Sequence, residues 1–223
     1  MAKFLSSENL LFLLKGAGIS LALAAGALII GMMIGIILAA AKLSKVKIFN
    51  WLATIYVELL RGTPMLLQIL FFYLGVPVLI RMITGVRVRA DVYMVALVAL
   101  SLNSGAYQTE LIRSGIQGVD KGQWEACQTL GISYWTMMSK VILPQAFKRI
   151  IPPMVSEFIT LIKDSSLCST IGAHELLNNT QILGAHYYNY LYPLIIAGVM
   201  YLCMTLVVSW LSKRLERRMA ISD

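Results

Sequence analysis

Charged and amide side chains occur inside several long apolar segments of this 223-residue chain. A charge near the centre of a bilayer costs on the order of 3 kcal/mol on insertion scales, so such groups usually face protein or a water-filled path. The side chains that could line a polar path form three groups, which are Glu58, Arg61 and Gln68; Asn103, Tyr107 and Glu110; and Lys163 and Asp164. Three groups on three segments could converge on one cavity.

The residue types in these groups suit recognition of a zwitterion. Within each of the first two groups, the residues share one face if the segment is a helix. The carboxylates could contact an ammonium group, whereas Arg61, Lys163 or the N–H groups at a helix start could bind a carboxylate. A second interpretation stays open, in which Glu110 extends to the membrane surface and Glu58 forms a structural ion pair with Arg61.

The sequence lacks the patterns that would indicate a catalytic centre. His174-Glu175 has no second histidine at the H-E-x-x-H spacing, and neither a G-x-S-x-G motif nor a Walker A motif occurs. The three cysteines are scattered without CxxC spacing, so neither a disulfide framework nor a zinc site is expected. We therefore predict no catalytic residue and no metal site. An ion-coupled carrier, which would use the intramembrane carboxylates, is an alternative function that the sequence leaves open.

Composition indicates that membrane helices hold these residues. Apolar residues make up 58% of the chain and charged residues 13%, and the mean hydropathy is +0.75. A soluble fold of this size could not cover so much apolar surface. At roughly 20 residues per crossing there is room for about five spans. The prediction is an all-α integral membrane protein that forms one domain over residues 1–223.

The apolar runs set the approximate bounds of the spans. Five transmembrane helices are predicted near 16–41, 48–78, 92–112, 150–171 and 190–211. Small residues in the first run suit close helix packing. The second run is long for one crossing, and Pro64 should kink it because proline removes one helix hydrogen bond. A polar loop is expected between the fourth and fifth spans.

The basic residues predict an orientation. The formal net charge is +8, and clusters of Lys and Arg flank the spans at 42–47, 148–149 and 213–218. Fewer basic residues fall on the opposite side, namely Lys3, Lys15, Arg81, Arg87 and Arg89. Because cytoplasmic loops carry an excess of Lys and Arg, we expect the N-terminus outside and the C-terminus inside. No basic stripe with interleaved aromatics indicates nucleic-acid binding.

The stretch 115–147 has no uncharged run long enough to cross a bilayer. Residues 121–130 can form a short helix that ends at Gly131, a residue that tolerates the left-handed conformation. Ser133 can cap a second short helix, from Tyr134 to about Ile142, which Pro144 should follow. Two short helices outside the membrane would form a knob that fits a groove on a partner, with the small Ala126 and Cys127 allowing close approach.

This stretch resembles the EAA loop of bacterial ABC importer permeases. It reads Glu125-Ala126-Cys127, three residues, Gly131, nine residues, and then Val141-Ile142-Leu143-Pro144. Cys127 and Val141 stand where Ala and Ile are usual, and both differences are mild in size and polarity. Three further segments, at 58–64, 105–116 and 161–167, resemble the E-x-x-R-G-T-P, G-A-Y-x-x-E-x-x-R-x-G-I and L-I-K-D-[ST]-S-L segments of the polar-amino-acid subfamily.

The resemblance implies the type I ABC importer permease fold, of the histidine, glutamine and arginine permease kind, with a cytoplasmic coupling hairpin. In that family the loop docks into a cleft of a cytoplasmic ATPase. The residues expected to contact the ATPase are therefore Glu125, Ala126, Gly131, Leu143 and Pro144.

The resemblance also implies the partners and the location. Expected partners are two ABC ATPase subunits, a second identical or related permease protomer, and an extracytoplasmic amino-acid-binding protein. ATP and Mg would bind to the ATPase, and no cofactor is expected on this chain. The substrate would be a polar amino acid imported across the bacterial cytoplasmic membrane. The acidic path residues favour a cationic amino acid only weakly, since every amino acid carries an ammonium group.

Overall fold

The structure is a computed structural model that describes Phe4 and residues 6–220, without the side chains of residues 215, 216 and 218–220. Lys3 and the side chain of Arg218, which the orientation prediction uses, lie outside the described residues. The described chain is almost entirely helical, as the composition predicts. Its α-helices are α1 (Ser7–Leu43), α2 (Lys47–Arg61), α3 (Met65–Leu70), α4 (Val76–Thr84), α5 (Val92–Gln117), α6 (Lys121–Thr129), α7 (Tyr134–Met137), α8 (Leu143–Asp164), α9 (Leu176–His186) and α10 (Leu191–Ala220).

Close packing of α1 against α5 forms the centre of the molecule. A Cβ atom on Gly31 or on Gly35 would lie 2.9 Å from side-chain atoms of Gln108, so only glycine permits this approach. The Gln108 amide is fully buried and donates hydrogen bonds to the Leu28 carbonyl and to the Ser104 hydroxyl. The small residues of the first apolar run therefore pack against another helix, as predicted.

The predicted second span, 48–78, is not one helix. The chain breaks at Gly62 to Pro64, so that α2 ends at Arg61 and α3 begins at Met65. Proline lacks the N–H that would continue the helix and disfavours helical geometry at Thr63 before it. A π-helical turn, Phe71–Gly75, then joins α3 to α4. The prediction of a single kinked helix is wrong, and the shared face calculated across Pro64 does not exist.

Within the described residues, three helical segments are long and apolar enough to cross a membrane: Ser7–Leu43, Met65–Thr84 and Leu191–Arg214. Helices α5 and α8 contain 26 and 22 residues, about 39 and 33 Å, which also matches a bilayer core of about 30 Å. Because α5 and α8 contain polar residues, they are not among the three apolar segments. The structure supports a helical membrane protein, and the division into five spans stays a prediction.

The predicted loop between the fourth and fifth spans is instead helix α9, which packs on α1 and α10. Glu175 begins this helix and is fully buried. Its carboxylate accepts hydrogen bonds from the N–H groups of Leu177 (2.8 Å) and Asn178 (2.7 Å), and from the hydroxyls of Ser20 (3.3 Å) and Tyr201 (2.8 Å). One buried side chain therefore ties α1, α9 and α10 together.

Replacing Glu175 with alanine should destabilise the protein more than replacing Tyr201 with phenylalanine. The first change leaves several buried donors without an acceptor, at about 1–3 kcal/mol each, whereas the second removes one donor from a carboxylate that keeps three. We expect the midpoint of thermal unfolding in detergent to fall by roughly 5–10 °C for Glu175→Ala. Equal midpoints for the two variants would contradict a structural role for this carboxylate.

Candidate coupling hairpin and polar face

The turn of the hairpin forms as the sequence predicts. The Asp120 carboxylate caps α6 by accepting from the N–H of Gly122 at 2.8 Å. At the other end Gly131 has φ +66°, its N–H donates to the Gln128 carbonyl, and the N–H of Ile132 donates to the Cys127 carbonyl, each at 3.0 Å. This pair of bonds is a Schellman motif, which satisfies the last carbonyls of a helix and requires a left-handed residue.

The second arm of the hairpin differs from the prediction. The Ser133 hydroxyl caps α7, as expected, by accepting from the N–H of Thr136 at 3.4 Å. The helix does not end before Pro144, however, because a π-helical turn, Met138–Ile142, joins α7 directly to α8. Pro144 lies in the first turn of α8, where a missing N–H costs little. The hairpin therefore continues without interruption into α8.

A small apolar core lies beneath the hairpin. Cys127, Met137, Ile142 and Ala146 are buried together beneath it. Cys127 is only 4% exposed, so the expectation that it lets a partner approach is wrong. Its small side chain instead lets α6 pack against the turn Met138–Ile142. A hydrogen bond of 3.2 Å between the Gln123 and Gln145 amides also joins the two arms.

The outer surface of the hairpin carries the predicted contact residues. The five predicted residues are all exposed, namely Glu125, Ala126, Gly131, Leu143 and Pro144. Glu125 forms no ion pair within the described part of the chain. Sequence reasoning missed the large apolar residues around the turn, of which Leu130 is 75% exposed and Trp135 80% exposed. Their position beside Gly131 in an otherwise polar stretch was the signal that could have identified them.

The polar residues predicted to line a path occupy different environments. The Arg61 guanidinium lies 5.1 Å from the centre of the Tyr107 ring, which brings the first two groups together. Both side chains are exposed, and so is that of Glu58 one turn earlier on α2. The attraction between a cation and an aromatic ring holds Arg61 in place and leaves its N–H donors free to bind an anion.

Two of the predicted path residues are engaged in holding the broken helix. The Gln68 amide donates to the carbonyls of Leu60 (2.8 Å) and Thr63 (3.1 Å), and the Asn103 amide donates to Leu60 (3.2 Å) and to the Gln68 side chain (3.1 Å). Both are buried, at 6% and 8% exposure. These amides satisfy the carbonyl groups that the break at Pro64 leaves without helical partners.

Glu110 is also occupied by structural contacts. Its carboxylate forms ion pairs with Lys42 at 2.5 Å and with Arg113 at 2.6 Å, and Arg113 also donates to Gln117. The Lys42 contact joins the ends of α1 and α5. These contacts give both carboxylate oxygens of Glu110 a partner within the protein.

The third predicted group lies at the far end of α8 from the hairpin. Lys163 is exposed and Asp164 half-buried. Ser156 and Thr160 lie on the same face of α8 as Lys163 and are also exposed. No described hydrogen bond or ion pair links Lys163 or Asp164 to Arg61. The structure therefore presents two exposed polar patches and does not join them within one protomer.

Comparison with known proteins identifies the family. Residues 31–221 match the family described as binding-protein-dependent transport system inner membrane component. The chain belongs to this family. The predicted resemblance to ABC importer permeases is thereby confirmed.

Two curated permeases of this family match nearly the whole chain. The arginine transport system permease protein ArtQ of Bacillus subtilis (strain 168) is 42% identical over 212 residues, which are 95% of this chain and 94% of ArtQ. The putative glutamine transport system permease protein GlnP of Rickettsia bellii (strain RML369-C) is 37% identical over 216 residues, which are 97% of this chain and 96% of GlnP. The chain is thus an ABC transport permease whose relatives transport amino acids.

Solved structures of transporters share its architecture. A chain from the crystal structure of an amino acid ABC transporter with histidines has a TM-score of 0.88 and 37% identity, and the match covers 95% of both chains. A chain of the inward-facing methionine transporter MetNI has a TM-score of 0.75 at 17% identity, covering 96% of this chain and 99% of that one. The family member described here therefore has the type I ABC importer permease fold.

Proposed function

We propose that this permease is the non-catalytic membrane subunit of an ATP-driven importer for a polar amino acid. The observation that carries the proposal is the hairpin, with its exposed face of Glu125, Leu130 and Gly131 on a buried apolar base. Such a surface outside the membrane fits a groove on a cytoplasmic ATPase subunit. An ion-coupled carrier needs no contact of this kind, and the relatives do not favour that alternative.

The continuity of the hairpin with α8 supports a route for coupling. From Tyr134 to Asp164 the chain is helical throughout, about 45 Å if its rise is regular. Closure of an ATPase dimer against the hairpin would therefore tilt the same helix that carries Lys163 and Asp164 at its other end. A rigid lever of this kind suits the exchange between inward-facing and outward-facing states. ATP and Mg would bind to the ATPase, with no cofactor on this chain.

The exposed polar patches support a second permease protomer. Glu58, Arg61 and Lys163 are exposed on helices assigned to the membrane, where a charge facing lipid costs on the order of 3 kcal/mol. A second copy or a related permease placed against these faces would enclose them around a water-filled path. The charges then lie in the path and not against lipid. Two protomers, two ATPases and an extracytoplasmic binding protein would form the complete importer.

The path itself is best assigned to Glu58, Arg61, Tyr107, Lys163 and Asp164. Gln68, Asn103 and Glu110 are excluded from this assignment because structural contacts occupy them. The carboxylates would bind the ammonium group and Arg61 or Lys163 the carboxylate of the amino acid. The name of ArtQ and the two acidic groups that remain in the path, Glu58 and Asp164, favour a cationic amino acid such as arginine.

The orientation follows from the hairpin and from the basic clusters. An ATPase-binding hairpin is cytoplasmic, which places the inner ends of α1, α5 and α10 on that side. Lys45 and Lys47, next to the end of α1, are exposed there, as is Lys213 on α10. The excess of basic residues on this side agrees with the rule for cytoplasmic loops of membrane proteins. The N-terminus is then outside and the C-terminus inside the bacterial cytoplasmic membrane.

Purification of the tagged chain from mildly solubilised membranes tests the proposal. Mass spectrometry should identify an ABC ATPase in equal amount, and liposomes that contain the isolated complex together with its binding protein should take up a polar amino acid such as arginine only with ATP. Isolation of the chain alone, together with ATP-independent uptake driven by an ion gradient, would overturn the importer assignment and favour the carrier.

A further inference from the structure

An apolar groove of about 700 Å³ lies between α1 and α8, above the inner end of α5 and beside the hairpin. Its walls include Ile36 and Ala40 of α1, Ile116 of α5 and Phe147 of α8. The volume falls within the range of sites that bury a small-molecule ligand. Because its walls are apolar, water is a poor occupant, and the groove requires apolar material to fill it.

The groove is slightly longer than one leaflet is deep. Along α1 the lining runs from Met32 to Ser44, and along α8 from Leu143 to Met154. At 1.5 Å per residue these distances are about 18 and 17 Å. Half of a bilayer core of about 30 Å is roughly 15 Å. The groove therefore extends from the hairpin to near the middle of the membrane.

The polarity of the lining changes along this length. The deep end is formed by Met32 and Met154, whereas Ser44, Ser139 and Tyr134 line the end at the hairpin. Tyrosine and tryptophan concentrate at the headgroup level of membranes because their rings are apolar and their tips polar. The groove thus has the polarity of a phospholipid, with an apolar tail region and a polar head region.

Two exposed lysines directly follow lining residues at the polar end of the groove in the sequence. Lys45 follows the lining residue Ser44, and Lys140 follows the lining residue Ser139. Both lysines are exposed, and neither makes an ion pair in the part of the chain that the structure describes. Lys42, by contrast, is paired with Glu110. The rim therefore carries positive charge that is available to a phosphate group.

We infer that the groove binds one anionic phospholipid of the leaflet on the hairpin side, with an acyl chain between α1 and α8 and its phosphate beside Lys45 and Lys140. A water-soluble partner does not reach Met32 or Met154 at this depth. The face proposed for the second protomer carries exposed charges and is distinct from this apolar groove. Because the lipid contacts both α8 and the hairpin, it would stabilise the hairpin in the position that it has before the ATPase dimer closes.

Native mass spectrometry of the full chain, stripped of lipid and titrated with phosphatidylglycerol or phosphatidylcholine, tests the inference. Ala40 is exposed in the groove, so Ala40→Phe fills the space without displacing a packed side chain. Ala22 is exposed on the same helix outside the groove, and Ala22→Phe is the matched control. We expect phosphatidylglycerol to bind at one molecule per protomer, and Ala40→Phe but not Ala22→Phe to weaken this binding at least roughly tenfold.

The headgroup contacts are tested separately with substitutions on the surface, which do not disturb folding. Removing either rim lysine by Lys45→Gln or Lys140→Gln should lower the preference for phosphatidylglycerol over phosphatidylcholine about fivefold, while Lys15→Gln should not. Equal affinity of the unaltered chain for both lipids, or equal binding by the two phenylalanine variants, would overturn the inference. So would a cross-link from position 40 to a second copy of the chain. This measurement uses neither ATPase nor substrate, so its outcome is independent of the proposed transport function.

Discussion

Replacing Glu125 with lysine is expected to abolish ATP-dependent uptake while leaving the permease folded in the membrane. Glu125 is exposed on α6 and has no ion pair within the described residues, so its carboxylate is available to the ATPase. A hydrogen bond to a charged group contributes about 1.5–3 kcal/mol. Loss of that bond and reversal of the charge should reduce affinity for the ATPase roughly 10- to 100-fold or more.

The measurement is co-purification of the ATPase together with ATP-driven uptake in liposomes. Glu8→Lys is the matched control, because Glu8 is an exposed glutamate in the first turn of α1, at a distance from the hairpin. The control should retain both activities. Normal uptake by Glu125→Lys would show that the hairpin is not the coupling element.

A pair of substitutions at Gly131 examines the same surface through the backbone. No atom lies within 4 Å of a Cβ at this position, so any effect comes from its φ of +66° and not from a clash. Valine is strained in the left-handed region by about 1–2 kcal/mol, whereas asparagine tolerates it. Gly131→Val should therefore uncouple ATP hydrolysis from uptake, and Gly131→Asn should retain most of the coupling. Equal behaviour of the two variants would exclude this explanation.

The second large effect is expected from replacing Asp164 with asparagine. Asp164 is half-buried at the end of the helical lever, next to the exposed Lys163. Asparagine keeps the size and the hydrogen-bonding capacity but removes the charge. If the carboxylate binds the ammonium group of the substrate, the loss of about 1.5–3 kcal/mol should lower uptake at low concentration roughly 10- to 100-fold. Membrane levels of the protein should stay unchanged.

Comparison of two substrates locates the contact. Equal losses for arginine and glutamine would indicate that Asp164 binds the α-ammonium group, and a loss confined to arginine would indicate its side chain. Asp91→Asn is the control, because Asp91 only caps α5 through the N–H groups of Tyr93 and Met94. Uptake that is the same in Asp164→Asn and the unaltered chain would remove Asp164 from the path.

Local signals made the membrane class and the hairpin predictable. Apolar runs too long for a soluble core identify membrane helices whatever they pack against. The hairpin turn depends on residues close in sequence, since Gly131 bonds to Gln128 and Ile132 bonds to Cys127. The spacing of Glu125, Gly131 and Pro144 was sufficient to predict the family, which comparison with known proteins then confirmed.

Contacts between distant segments explain why the sequence did not reveal the structural contacts of the predicted path residues. Asn103 contacts Leu60 and Gln68, 43 and 35 residues away, so its structural role cannot be recognised from the helical face it shares with Tyr107. Glu110 likewise finds Lys42 at a separation of 68 residues. A polar residue in an apolar segment indicates that a partner is required, but the sequence does not state whether that partner is substrate or protein.

What the sequence by itself determined is therefore the all-helical membrane class, the hairpin turn at Gly131 and the family, because hydropathy and turn chemistry act over a few residues. The tertiary structure alone decided that Pro64 ends a helix, that Cys127 faces inward, and that Glu175 joins three helices. Each of these depends on which helices come into contact, since a buried polar group must find its hydrogen-bond partners across helices that the sequence separates.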